Sequence, residues 1–221
     1  MAPYSSVLPK ALLPIDGQPI LEVTLRQLKR HGFGRVTVCL GHLSDLIMDY
    51  FGDGSKLGLS VDYTVESEPR GTIGPLSLLD PFSEPLLVIN GDVLTTLDFA
   101  DLYATHLRHR PLLTIAARKE RQEVPFGVME LDESHHVTDF REKPGVEMWI
   151  CMGAYVVAPE IVGYLPCEGE FGVDALIEAL QTEGVAPLAY PFEGLWHDLA
   201  SVEDCERAAE SFRKNRRVLL P

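Results

Sequence analysis

The run Pro85-Leu86-Leu87-Val88-Ile89-Asn90-Gly91-Asp92-Val93-Leu94 constrains the fold more than any other stretch of this chain. Leu86 to Ile89 are apolar with no polar alternation, the pattern of a strand buried on both faces, and such strands belong to parallel sheets. Asn90-Gly91 ends the strand and leaves Asp92 at its carboxyl end, the edge at which open α/β sheets bind ligands. A carboxylate fixed there suits a divalent cation, Mg²⁺ above all, which takes one or two carboxylates together with substrate phosphates. An Asp at that point also suits the plainer work of capping a turn or a helix.

Upstream, Tyr4 to Gly17 holds two prolines, Pro9 and Pro14, which favour an extended, braced loop that presents Lys10 from a stiff backbone. A helix follows from about Pro19, with Leu21, Leu25 and Leu28 on its buried stripe and His31-Gly32 at its end. Arg35–Leu40 reads as a strand, Leu43–Phe51 as a helix and Leu59–Val65 as a second strand. The glycines of 52–58 follow a helix with the wrong spacing for a dinucleotide fingerprint, so they form a connector. Glu66 to Gly74 is a glycine-bearing loop opening a helix, where backbone N–H groups can meet a nucleotide closely. Asp98 caps a helix to about His109, and Leu112–Ala117 is another strand. This alternation of strand and helix predicts a Rossmann-like, mainly parallel α/β sheet flanked by helices.

The second half is β-rich. Phe126–Asp132 and His136–Pro144 pair as a hairpin, Trp149–Val157 is a strand broken by Gly153, and helices over Val173–Thr182 and Val202–Arg213 bracket the strands Ala186–Phe192 and Leu195–Leu199. Net charge bears on partners. At −14 it excludes nucleic acid, whose backbone wants a basic field, but it admits a small polyanion neutralised by a cation and a few local lysines or arginines. No run reaches the ~18 apolar residues of a membrane span, and the first residues lack a signal peptide's basic start and apolar core. The four cysteines lie far apart with no Cys-x-x-Cys pair, against a zinc site or disulfide framework and in keeping with a reducing cytoplasm.

Five segments in order, Pro9-Lys10-Ala11-Leu12-Leu13-Pro14-Ile15, Asn90-Gly91-Asp92, Phe126-Gly127-Val128, Arg141-Glu142-Lys143-Pro144 and Trp196-His197-Asp198, make the chain similar to sugar-1-phosphate nucleotidyltransferases, in flavour those resembling mannose-1-phosphate guanylyltransferases. The resemblance runs from about Tyr4 to Ala209. It implies a cytoplasmic enzyme that joins a nucleoside triphosphate to a sugar 1-phosphate with Mg²⁺, and it is compatible with a homo-oligomer. One domain over 1–221 is implied: a nucleotide half to about 120, a sugar-phosphate half over about 121–200, and a C-terminal helix and tail. Asp92 and Asp198 are implied as metal ligands, and Lys10 as the catalytic lysine on the nucleotide phosphates. Gly71, Thr72 and Gly91 are implied at the nucleotide, and Glu142, Lys143, Gly127 and Gly153 at the sugar phosphate. His197 reads as packing beside Asp198, because it has no partner at metal spacing.

The chain departs from the family pattern at Cys151, where Asn is frequent, and at Leu199-Ala200-Ser201, which replaces Ile-Gly-Thr. The family also opens with a buried strand and a Gly-Gly-x-Gly-Thr-Arg phosphate loop, neither of which precedes Tyr4. The expectation is that Met1 occupies an internal family position and that the missing strand belongs in the middle of the sheet. A regulatory subunit that binds nucleotide sugars without turnover, or a sugar-phosphate sensor, is the alternative class.

Overall fold

The structure, a computed structural model, describes residues 8–220. Met1 to Val7, with the expectation about Met1 and the start of the proline-braced segment, lie outside the described residues. The described chain opens with a 3₁₀ turn over Lys10–Leu12, then a tight hairpin of β1 (Pro14–Ile15) and β2 (Gln18–Pro19). The braced segment is therefore not wholly extended: Pro9 lies just before the turn, where its missing N–H costs nothing.

Helix α1 (Ile20–Arg30) buries Ile20 to Leu25, Gln27 and Leu28, far more than a single stripe. It touches three apolar clusters at once: Ile20 and Val23 in one, Leu28 in a second, Leu21 and Leu25 in a third. Its buried Glu22 accepts from Arg26 at 2.7 Å, and its Gln27 amide donates to the Thr95 carbonyl at 2.9 Å. Next come β3 (Arg35–Leu40), α2 (Ser44–Phe51) and β4 (Ser60–Val65), with β3 and β4 paired in parallel. A 3₁₀ turn over Gly74–Leu78 leads to β5 (Leu86–Ile89) and β6 (Val93–Thr95). Helix α3 (Phe99–His109) starts at Asp98, whose carboxylate accepts from the N–H groups of Ala100 and Asp101.

The second half contains β7 (Leu113–Glu123), the hairpin β8 (Gly127–Leu131) and β9 (Val137–Glu142), then the long β10 (Gly145–Val157). Helix α4 (Val173–Thr182), β11 (Leu188–Pro191), β12 (Trp196–Asp198) and α5 (Val202–Leu219) complete it. The central sheet has the order β11-β7-β10-β5. β7 pairs in parallel with β11, whereas β10 runs antiparallel to both β7 and β5. Three strands thus share a direction and the fourth opposes them, in a mixed α/β sheet flanked by helices.

The expected parallel ladder for β5 is corrected. The chain comes back from the β8–β9 excursion travelling the opposite way, so β10 enters the sheet antiparallel between β5 and β7. Burial of β5 is corrected too. Leu87 and Ile89 pack on one cluster and Leu86 and Val88 on another, so both faces are apolar, yet all four residues are only half-buried. The reason lies at the strand edge: β10 is the one ladder partner of β5 among the described residues.

Candidate active site

Asp92 follows β5 across Asn90-Gly91, at the carboxyl end of the strand. The opposite wall comes from β12, which pairs antiparallel with β6 in the register His197↔Leu94 and Asp198↔Val93. The Leu199 N–H donates to the Asp92 carbonyl at 3.0 Å, which fixes the two acidic positions side by side. Behind them, Leu94 and Leu199 share a buried cluster with Phe212 and Ala208 of α5. The two aspartates stand on strand ends anchored by an apolar core.

Lys10 reaches across from its 3₁₀ turn, with Nζ 3.5 Å from Asp92 Oδ2. Two things position it: the β1–β2 hairpin, and Arg216 of α5, whose Nη1 lies 2.8 Å from Asp16 Oδ2 in that hairpin's turn. Burial, and after it the charge of Asp92, lifts the Asp198 carboxyl above its usual range, while Lys10 pulls it back. The electrostatics at this edge therefore favour one more positive charge. No group of three or more His, Cys, Asp or Glu among the described residues could hold a metal unaided. Two adjacent carboxylates are nevertheless the donor set Mg²⁺ uses, because it keeps several waters and completes its shell with substrate phosphates.

His197 points elsewhere: its Nε2 meets the Ser211 hydroxyl on α5 at 2.9 Å, and burial lowers its pKa. Gly153 forms a bulge in β10 at φ +71°, and a Cβ there would stand 2.8 Å from the Asn90 amide nitrogen. The Asn90 N–H in turn donates to the Gly153 carbonyl at 2.8 Å. Gly153 is thus the seat of the turn that carries Asp92.

The other expected residues form two further groups. Gly71 has φ +76°, and a Cβ on it would meet the Phe171 backbone at 3.0 Å. Arg70, Ile73 and Gly74 hydrogen-bond that same backbone, so the 66–74 loop with half-buried Thr72 is braced against the start of α4. In the hairpin, Gly127 stands opposite Glu142, and the Phe140 ring lies where a Gly127 side chain would go. Lys143 follows at φ +47°, a region rare for any residue with a side chain and disfavoured before proline. Among the described residues no hydrogen bond or ion pair links the hairpin group or the 66–74 loop to Lys10, Asp92 and Asp198. Gly91 is exposed, and a Cβ there would meet open space.

Sequence reasoning missed Arg118, Asp204 and Arg207. With Trp196 and Asp198 they line a cavity of about 330 Å³. Arg118 carried no local signal, because it lies in a charged stretch of β7 whose inward face is set only by pairing with β10.

The chain belongs to the nucleotidyl transferase family, whose model matches residues 1–215. It is 28% identical over 241 residues to a UTP–glucose-1-phosphate uridylyltransferase of Synechocystis sp., covering 99% of this chain and 62% of that protein. It is 29% identical over 216 residues to a mannose-1-phosphate guanylyltransferase of Mycobacterium tuberculosis, covering 95% and 60%. The chain thus spans about three-fifths of the length of these curated relatives. Among solved structures it is similar to HddC from Yersinia pseudotuberculosis, with a TM-score of 0.71, 25% identity and coverage of 93% and 90%. The same fold appears in a UDP-glucose pyrophosphorylase complexed with UDP-glucose, with a TM-score of 0.70, 20% identity and coverage of 98% and 94%. No helix among the described residues is long and apolar enough to cross a membrane.

Proposed function

We propose that the protein transfers a nucleotidyl group from a nucleoside triphosphate to a sugar 1-phosphate, giving a nucleotide sugar and pyrophosphate. The observation that carries this reading is the meeting of Lys10, Asp92 and Asp198 at the carboxyl edge of the sheet, in a chain of this family. GTP with mannose 1-phosphate is the pair we put first, and the Mycobacterium relative is named for a reaction of that kind. UTP with glucose 1-phosphate is the competing pair, after the Synechocystis relative.

In the reaction an oxygen of the sugar phosphate attacks the α-phosphorus, the bond from that phosphorus to the β-phosphate bridging oxygen breaks, and pyrophosphate leaves. No side-chain nucleophile is required, so the protein's work is alignment and charge compensation. Asp92 and Asp198 would hold Mg²⁺, which supplies neutralisation of the phosphate charge and a template for in-line geometry. Lys10, 43% exposed and paired loosely with Asp92, is free to turn its ammonium onto the triphosphate. Lys143 and Glu142 take the sugar phosphate and sugar hydroxyls in this reading. The strained backbone of Lys143 supports that role, since such strain gathers at ligand-binding positions. Thr72 and the backbone of Gly71 and Gly91 take the nucleotide.

The test is pyrophosphate release over a panel of triphosphates and sugar 1-phosphates with Mg²⁺. One pair should turn over well above all others. Binding of nucleotide sugars without turnover of any pair would replace this reading with the regulatory one.

A further inference from the structure

We propose that the cavity lined by Asp198, Trp196, Arg118 and Arg207 is a phosphoanion subsite, in which the two arginines hold a phosphate group of a substrate or product. The assignment to a substrate or product rests on the nucleotidyl-transfer reading; the subsite itself rests on the geometry that follows. At about 330 Å³ the cavity is at the small end of ligand clefts. Its two arginines come from independent elements, β7 and α5, and both line it.

Arg118 is held ready. Its guanidinium carbon lies 5.7 Å from the centre of the Trp196 ring, and Trp196 is fixed by an indole N–H donated to the Met152 carbonyl at 2.9 Å. Arg118 Nε stands 2.9 Å from Glu120 Oε1, but the geometry is not that of a hydrogen bond, and this buried N–H has no partner among the described residues. An unsatisfied buried donor on a charged group is costly and calls for an acceptor.

Three carboxylates also line the cavity, and two have other work. Asp204 accepts from the Ser201 N–H and hydroxyl in the capping box of α5, besides its pairing with Arg207. Asp198 faces Asp92 and the proposed cation. That leaves Glu120 as the one ion-pair partner of Arg118 among the described residues, and it is poorly aligned. A tetrahedral phosphate offers the planar guanidinium fork a better match than that single oxygen. The sugar 1-phosphate and the departing pyrophosphate present the same chemistry.

Trp196 is the reporter. The full chain carrying Trp149→Phe leaves Trp196 as its single tryptophan, and its emission is followed in EDTA, so that a cation at Asp92 and Asp198 plays no part. Inorganic phosphate, pyrophosphate and mannose 1-phosphate are titrated in turn. The expected result is a saturable change with at least one of them, with affinity about tenfold or more weaker in Arg118→Gln and in Arg207→Gln. Arg207 is well exposed on α5, so its variant keeps the fold even if Arg118→Gln does not. Loss for mannose 1-phosphate alone assigns the subsite to the sugar phosphate, and loss for pyrophosphate alone assigns it to the leaving group. No response to any of the three, or equal affinity in a folded Arg207→Gln, overturns the proposal. Saturable binding in a protein that turns over no substrate keeps the subsite and removes the transfer reading.

Discussion

Asp92 is 27% exposed at its side chain and its one ion-pair partner among the described residues is 3.5 Å away, so it adds little to the fold. Asp92→Asn should therefore lower turnover by two or more orders of magnitude while leaving the melting temperature close to wild type. Asp198→Asn should do the same, and the double variant should lose less than the product of the two, because both act through one ion. Steady-state rates of the four proteins, with a melt of each, decide it; multiplicative losses would separate the two residues. Gly153 is the opposite case. Gly153→Ala places a side chain at positive φ and against the Asn90 amide, which should cost about 1–3 kcal/mol in urea unfolding and also slow turnover by moving the Asp92 turn. At this scale the sequence was informative where a residue sits at a strand end or in a motif, as Asp92 and Asp198 do. It was silent on Arg118, whose inward aim depends on a cross-strand partner more than twenty residues away.

Among the elements, helices were the most legible, since capping residues and apolar spacing are local: Asp98 opens α3, and α4 spans Val173–Thr182 as expected. Strand ends were harder. β7 continues past Ala117, where the sequence reading ends the strand, through Arg118-Lys119-Glu120-Arg121-Gln122-Glu123. It is a strand because β10 pairs along it, with Lys119 meeting Glu147 at 2.9 Å. Between α3 and β7 the structure buries His106, with Nδ1 2.9 Å from the Thr114 hydroxyl. Burial holds this imidazole below 6.5, and Glu160 pulls the other way. In the unfolded chain it titrates near 6.5, so below that pH the unfolded state takes up a proton that the native state refuses. Its contribution to stability is complete above pH 6.5 and is lost as the pH falls, by up to about 1.4 kcal/mol per pH unit. Urea unfolding at pH 7.5, 6.5 and 5.5 should show a steeper decline for wild type than for His106→Gln. Parallel declines would mean that His106 is not held neutral.

At the scale of the whole molecule, alternating strands and helices made the α/β class legible, and the place of β10 was not. Antiparallel insertion between β5 and β7 is decided by the direction from which the chain re-enters after the hairpin, and no local pattern records that. The same insertion builds the site: the bulge at Gly153 receives Asn90, and Asn90-Gly91 carries Asp92 to within reach of Lys10 and Asp198. The account stands on those two aspartates sharing one cation. Mn²⁺ in place of Mg²⁺, titrated in the presence of nucleoside triphosphate and followed by electron paramagnetic resonance, reads that sharing without knowledge of the sugar. Subtracting the signal of Mn²⁺ bound to nucleotide alone, wild type should hold one protein-bound ion, and Asp92→Asn and Asp198→Asn should each weaken it about tenfold or more. Wild-type affinity in either variant would contradict the account.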